Sequence, residues 1–142
     1  MATTPQNNYD SDSLGRVQAP ISSAQAINQG DLVKIASNLA VPVDTPATDV
    51  VFGMADDTNP VVSLLDTLTQ IKVIRSGIVR LVLKSGDVLA YDAKVYIGVD
   101  AQTVTVTDPG GATAVGRSRE LSSVTGDGSI RVKIDLNVRS NA

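Results

Sequence analysis

The chain has 142 residues, a formal net charge of −3, and neither cysteine nor histidine. This length suits one domain with a hydrophobic core, and the core must be aliphatic because 42% of the residues are apolar but only 3% are aromatic. The absence of cysteine excludes disulfides and thiolate chemistry, and the absence of histidine removes the commonest general base and transition-metal ligand.

The first 26 residues differ in composition from the rest of the chain. They are rich in Asn, Gln, Ser, Thr and Ala and show no regular apolar period. Such a segment cannot bury enough apolar surface to fold alone. It lacks a signal-peptide pattern, and no later run has the apolar length of a membrane span. We predict an extended N-terminal arm over 1–26, a domain over 27–142, and a soluble protein made in the cytoplasm.

From Gly30 onward the sequence predicts an all-β domain. Runs with apolar residues at alternate positions are separated by turn sequences such as Ser85-Gly86-Asp87. The predicted strands are 32–36, 39–43, 50–54, 70–74, 77–83, 88–91, 94–98, 102–108, 114–119 and 129–138. Strands this short and evenly spaced favour a small β-barrel or a sandwich.

For three of these strands the sequence also predicts which side chains are buried. The apolar run 77–83 is typical of a strand buried on both faces. In 102–108 the alternation places Val104 and Val106 inward and the threonines outward. The run 129–138 has the strictest alternation, so its face formed by Ile130, Val132, Ile134, Leu136 and Val138 is predicted to line the core.

Residues 59–68, NPVVSLLDTL, leave two alternatives open. Asn59 suits a helix N-cap, Pro60 suits the first helical position, and four apolar residues follow at helical spacing. The segment therefore predicts either one short helix near 60–68 or an irregular crossover between sheets.

One turn pattern occurs twice in the chain. INQGDLVKIA (27–36) and LKSGDVLAYDAKVYIG (83–98) each place Gly-Asp before apolar residues, and each is followed by an apolar-Gly step at 51–57 and 114–120. Gly permits positive φ and Asp bonds its own backbone at turns. The pattern suggests two similar β-layers, with Gly30 matched to Gly86, although chance similarity is the alternative.

Several motifs that could carry chemistry are incomplete. Asp10-Ser-Asp12-Ser-Leu-Gly15 resembles the start of a calcium loop but has Leu14 at a ligand position and no later bidentate acid. Asp56-Asp57 are adjacent, so their side chains diverge in an extended chain and do not form a hydrolase pair. Asp108-Pro-Gly-Gly111 lacks the Lys-Ser/Thr of a phosphate loop. We predict no metal site, no cofactor and no enzymatic activity.

A basic stripe near the C-terminus is a candidate for nucleic-acid binding. The chain is acidic overall and has few aromatic residues to stack on bases, so we predict no nucleic-acid partner. Solvated strand faces or salt bridges between subunits are better accounts of these cations. They are Arg117, Arg119, Arg131, Lys133 and Arg139.

The order of motifs resembles a known family. It runs from a polar arm through GDLVKI (30–35), VFGMADD (51–57), SGIVRLVL (76–83), SGDVLAYDAKVYIG (85–98), AVGRSRE (114–120) and RVKIDLNV (131–138). This order is similar to that of the small capsid decoration (cement) proteins of tailed bacteriophages, over roughly residues 27–138. The apolar stretch 59–68 is longer than a minimal member would have.

The resemblance implies a fold, a location and partners. The expected fold is a β-barrel or β-tulip-like domain on the outside of the expanded capsid, forming homotrimers at threefold and quasi-threefold positions and binding the major capsid protein. The virion is then the expected location. An aromatic residue, an arginine and isolated aliphatic residues are typical anchors of such an arm. We expect Tyr9, Leu14, Arg16, Val17 and Ile21 to contact the capsid or a neighbouring subunit.

The alternative function is a carbohydrate- or receptor-binding module of a phage fibre or head appendage. Carbohydrate sites usually need exposed aromatic side chains, and the predicted domain offers Tyr91 and Tyr96 for that purpose.

Overall fold

A computed structural model describes residues 15–46, 48–60, 68–98, 102–108, 110 and 114–137. No helix occurs among these residues, and the all-β prediction is confirmed. The helix alternative falls largely on 61–67, outside the described residues. Asn59, the predicted N-cap, forms an isolated antiparallel bridge with Ile27 outside the named strands.

The strands form one large curled sheet and one small sheet. The large sheet is antiparallel and barrel-like, in the order β3-β2-β4-β5-β11-β9-β7-β8, with β1 also paired to β5. β10 and β6 form the two-stranded sheet. The strands are β1 (Gly15–Pro20), β2 (Leu32–Ala36), β3 (Leu39–Pro42), β4 (Gly53–Ala55), β5 (Gln70–Val82), β6 (Val88–Leu89), β7 (Lys94–Ile97), β8 (Val104–Thr105), β9 (Gly116–Ser118), β10 (Val124–Thr125) and β11 (Arg131–Asn137).

β5 is one strand where the sequence predicted two. The break predicted between 70–74 and 77–83 is a bulge at Arg75 inside the strand, and Gly77, two residues later, has φ 111°. In a regular strand Val73 and Val79 would lie on the same face. They lie in different core clusters, so the side chains change faces across this bulge. Beyond it the strand alternates, and Ile78 is 53% exposed. The prediction of burial on both faces was therefore wrong for 77–83.

The structure also differs from the predicted arm boundary at residue 26. β1 pairs with residues 70–76 of β5, and Ile21, directly after β1, is buried in the core. The sequence showed no long apolar period here because β1 is short and its pairing partner is distant in the chain. Residues 15–26 thus belong to the domain, while 1–14 lie outside the described residues.

The large sheet consists of two five-stranded units built in the same way. The first unit is β1, β2, β3, β4 and residues 70–75 of β5; the second is residues 77–82 of β5, β7, β8, β9 and β11. In each unit the second and third strands form a hairpin, the fourth pairs with the second, and the last pairs with the fourth and the first. The chain therefore uses one strand arrangement twice.

The strand registers agree residue by residue. In the first unit Val73 pairs with Ala55 and Val17. At the matching positions of the second unit, Ile134 pairs with Ser118 and Val79. Each unit is closed in a matching way, since β1 contacts β3 in the first unit and Leu83 bridges to Val104 in the second. The repeat therefore extends from the hairpins to the closing contacts.

A glycine keeps the fourth strand close to the last one in each unit. Gly53 faces Val33, and Gly116 faces Val95. A Cβ on Gly53 would collide with the carbonyl oxygen of Ile74, and one on Gly116 with that of Asp135, which is the matching residue. The predicted equivalence of the two apolar-Gly steps is thus reproduced by the structure.

The Gly-Asp turns themselves do not match each other. Asp31 N–H bonds Asn28 O in a turn whose third residue, Gly30, has φ 98°. Its counterpart in the second unit is the turn before β7, where Ala93 N–H bonds Ala90 O and Asp92 has φ 63°. Both turns exchange two backbone hydrogen bonds with the fourth strand, at Ala55 or Ser118.

The pairing of Gly30 with Gly86 was therefore wrong by six residues. Asp tolerates a left-handed conformation such as that of Gly30, and Asp92 occupies the matching position of the second unit. The turn at Gly86 instead leads into β6.

The core follows the same repeat. All members of the first unit's buried cluster have buried counterparts in the second unit. The matched pairs are Ala19 and Leu81, Ile21 and Leu83, Ile27 and Leu89, Val33 and Val95, Ala40 and Val104, Ala55 and Ser118, Ile71 and Val132, and Val73 and Ile134.

Candidate interaction surfaces

The residues predicted as arm anchors fall into three groups. Tyr9 and Leu14 lie outside the described residues. Arg16 Nε donates to Asp56 Oδ2 at 2.8 Å, and Val17 is 39% exposed, so both lie at the surface of β1. Ile21 is buried in the first unit's core, and its side chain stabilises the domain instead of facing a partner.

The adjacent carboxylates Asp56 and Asp57 hold separate structural contacts. Asp56 accepts hydrogen bonds from Arg16 and, at 3.4 Å, from Gln29 Nε2. Asp57 Oδ2 accepts the backbone N–H of Lys72 at 2.7 Å. As expected from the sequence, the two groups face different partners.

An ion-pair cluster lies on the outer face of the first unit. Lys34 Nζ donates to Asp44 Oδ1 at 2.8 Å and to Asp49 Oδ1 at 2.9 Å. Burial raises the pKa of Asp49, but hydrogen bonds from Lys34 and from the backbone N–H groups of Asp44 and Thr45 outweigh it and lower the pKa to about 2. Hydrogen bonds to the two carboxylates raise the pKa of Lys34. The cluster fixes the loop after β3.

A second carboxylate, Asp87, explains a wrong prediction for β8. Its Oδ2 accepts hydrogen bonds from Thr105 Oγ1 at 2.5 Å and from the backbone N–H of Val106 at 3.0 Å. Thr105 was predicted to face outward but is buried, because Asp87 supplies the acceptor that its hydroxyl needs.

Two of the five cations of the basic stripe, Arg117 and Arg119, make side-chain contacts within the chain. Arg119 Nη2 donates to Asp135 Oδ2 at 2.9 Å, and its Nη1 donates to Tyr91 OH at 3.3 Å. Arg117 Nη1 donates to the carbonyl oxygen of Asp92 at 3.0 Å. These contacts join neighbouring parts of the second unit, and the Asp135 carboxylate offsets the charge of Arg119. Arg139 lies outside the described residues.

The two units meet where one end of the second unit packs on the outer face of the first. One buried cluster contains residues from both sides of this junction. Gln102, in the loop between β7 and β8, connects the two: its Oε1 accepts the backbone N–H of Leu32 at 2.7 Å, and its Nε2 donates to Leu32 O at 3.2 Å. The end of the second unit supplies Val79, Ile97, Val115 and Leu136, and the face of the first supplies Leu32, Val43, Val51 and Ile74.

The matching end of the first unit is open. The counterpart of Ile97, which is 1% exposed, is Ile35, which is 42% exposed. Val115 is matched by Phe52 and Leu136 by Arg75, whose guanidinium carbon lies 4.1 Å from the centre of the Phe52 ring. Ile35, Val50, Val51, Phe52 and Arg75 line a shallow cavity of about 210 Å³, which we call the open end.

Sequence patterns alone did not reveal the open end. Ile35 alternates with Lys34 and Val33 as a core residue would, and Val33 is indeed buried. The difference lies in what covers the end of each unit, and that depends on packing between units. The one usable signal was Phe52, the chain's only phenylalanine, beside an apolar run.

Neither the described residues nor comparison with known proteins assigns a chemistry to these surfaces. No cluster of three or more potential metal-ligating side chains occurs in the part of the chain that the structure describes. Within the same residues, no helix has the length and apolarity needed to cross a membrane. No protein-family model and no curated protein sequence matches the chain.

Proposed function

We propose that the protein is a structural component of a phage virion. It binds the outer surface of the expanded capsid as a trimer at threefold and quasi-threefold positions, contacts the major capsid protein and stabilises the head. The order of sequence motifs motivates this function, and the open end is the structural observation that supports it best. Exposed apolar side chains grouped on a surface are typical of protein–protein contact sites.

The use of the polar side chains also supports a structural role. Asp49, Asp56, Asp57 and Asp87 accept hydrogen bonds from neighbouring strands and loops of their own chain. Carboxylates committed in this way hold a rigid domain together, which suits a protein that acts by binding.

Stabilisation of the head then follows from mass action. A protein that binds only the expanded lattice lowers the free energy of that state by an amount set by affinity and occupancy. Many copies multiply a modest gain per site. No covalent chemistry is needed for this mechanism.

The proposal is tested by co-sedimentation with heads that lack the protein. Saturable pelleting with expanded heads, but not with unexpanded proheads, is the expected result. Equal pelleting with both would contradict recognition of the expanded lattice. Absence of pelleting with either would contradict capsid binding.

A deletion variant tests the role of the N-terminal segment. Since β1 begins at Gly15, the deletion should remove residues 1–14 and leave residues 15–20 in place. We expect a folded domain, by circular dichroism, with weaker attachment to expanded heads. Undiminished attachment would show that Tyr9 and Leu14 are not anchors. A deletion of 1–20 is unsuitable because it also removes β1 from the sheet.

A carbohydrate-binding module is the second candidate function. Tyr91 is 52% exposed and could stack on a sugar ring, although its hydroxyl is engaged by Arg119. A glycan array separates the two functions: specific glycan binding that Tyr91→Ala abolishes, without capsid binding, would favour this candidate.

A further inference from the structure

We infer that the open end of the first unit binds a second copy of this chain, through the outer face of that copy's second unit. The internal repeat identifies this partner surface. Within one chain, the end of the second unit is covered by the outer face of the first unit. The open end is the counterpart of that covered end, and the counterpart of the covering face lies on the second unit.

The covering face can be located residue by residue. By strand register, Leu32 corresponds to Lys94, Met54 to Arg117, and Ile74 to Asp135. Lys94 and Arg117 are exposed, and the Asp135 side chain is 36% exposed. These side chains lie on neighbouring strands β7, β9 and β11 and form a continuous outer face.

The contact joins different surfaces on the two copies and is therefore heterologous. A heterologous contact closes into a ring when its rotation permits, and otherwise extends as a filament. The covering face of the second unit is polar where that of the first unit is apolar. The contact between copies is consequently weaker than the junction inside the chain.

The junction inside the chain also shows where a cross-link should form. The hairpin loop that carries Gln102 contacts the backbone of Leu32 and, at 3.5 Å, the carbonyl oxygen of Val43. Its counterpart in the first unit is the β2–β3 turn, where Asn38 matches Gln102 and the exposed Ala36 lies two residues earlier. The counterpart of Val43 is Thr107, which is exposed. The inference places Ala36 of one copy near Thr107 of the next.

The test uses the purified full chain, which has no natural cysteine. Ala36→Cys and Thr107→Cys variants are mixed, oxidised mildly, digested, and searched for a 36–107 disulfide by mass spectrometry. The matched control mixes Ala36→Cys with Ser123→Cys, because Ser123 is exposed in the loop before β10, which pairs with β6 and not with β7, β9 or β11. We expect a several-fold higher yield of the 36–107 link than of the 36–123 link. Equal yields would overturn the inference.

A second measurement uses a substitution at the open end itself. Ile35→Asp should abolish self-association in light scattering, whereas Val88→Asp, at a comparably exposed apolar residue of β6, should not. Loss of self-association in both variants or in neither would contradict the assignment. No capsid is present, so a failure here is distinguishable from a failure of capsid binding.

Discussion

The two units share a strand arrangement but differ in how they are filled and closed. At three matched core positions the first unit has Ala19, Ala40 and Ala55, and at two of these the second has Leu81 and Val104. The second unit's end is sealed by the first unit, whereas the first unit's end is exposed. The two units therefore share one strand register but differ in side-chain volume and exposure.

The units also differ in the short backbone pairing that lies beside each barrel-like sheet. In the second unit Leu89 pairs with Val124 in a short ladder between β6 and β10. In the first unit the matching residue Ile27 forms one bridge to Asn59, and the Asn59 side chain supplies the remaining contacts. The first unit thus has a single backbone bridge supplemented by the buried Asn59 side chain, where the second unit has a two-residue ladder.

Truncation of the matched core residues Ile21 and Leu83 should have the largest effect. Each is buried, so Ile21→Ala and Leu83→Ala should each lower the free energy of unfolding by about 3 kcal/mol through lost burial and a cavity. Urea unfolding followed by circular dichroism measures this. Ile35→Ala, at the open end, is the control and should cost far less. A small effect of Ile21→Ala would show that residue 21 does not contribute to the domain core, and would contradict the equivalence of the two units.

Substitution of the two matched glycines tests the shared register. Gly53→Ala and Gly116→Ala each drive a Cβ into a neighbouring carbonyl oxygen and should cost about 2 kcal/mol. Ala at Gly86 meets no atom within 4 Å, although its φ of 90° is unfavourable for Ala. Gly86→Asn, which tolerates that conformation, is therefore the matched control and should cost clearly less. A tolerated Ala at only one of the two matched sites would show that the units differ in strand spacing.

Replacement of Asn59 tests the difference between these two short pairings. Asn59 is fully buried; its Nδ2 donates to Gln25 O at 2.8 Å, and its Oδ1 accepts Leu68 N–H at 2.9 Å. Asn59→Ala leaves these backbone groups unpaired and should cost about 2 kcal/mol. Val124→Ala, at the matched and partly buried site, removes only apolar contact and should cost about 1 kcal/mol. A smaller loss for Asn59→Ala than for Val124→Ala in thermal unfolding would contradict this role.

The sequence predicted those elements whose signal is local. β11 was expected from alternation, and Val132, Ile134 and Leu136 are fully buried; Ile130, also expected inside, is 37% exposed because it precedes the strand. β10, with two residues, has no measurable period. β1 was missed because its evidence lies in its pairing with β5. Packing between distant segments, which local patterns do not encode, determined these outcomes.

The candidate surface was less predictable than the fold. Of the expected anchors, Arg16 and Val17 are at the surface, but Ile21 has the same apolar character and is buried. The distinction between a core position and an exposed one at Ile35 and Ile97 depends on which unit covers the other. Identical residues at matched positions therefore have opposite exposure, and no pattern within either strand separates them.

The smallest expected effect concerns the ion-pair cluster on the first unit's outer face. The pKa of Asp49 is about 2 in the folded protein, below its ordinary value of 3.8. A lowered folded pKa contributes stability that is complete above pH 4 and is lost as the pH falls from about 4 towards 2, by an amount of about 1–2 kcal/mol. Asp49→Asn should therefore lower the free energy of unfolding at pH 7 and flatten its decline below pH 4.

Lys34→Met provides the partner variant for this cluster. It leaves the Asp49 carboxylate, whose side chain is 9% exposed, without its cation, so the single substitution should destabilise the first unit at pH 7. Because the two side chains are in direct contact, the double variant Lys34→Met/Asp49→Asn should cost less than the sum of the single variants. Denaturant titrations between pH 2 and 7 measure both effects. An additive double variant, or an unchanged acid limb in Asp49→Asn, would mean that the pair contributes no coupling and that the loop after β3 is held by its backbone contacts.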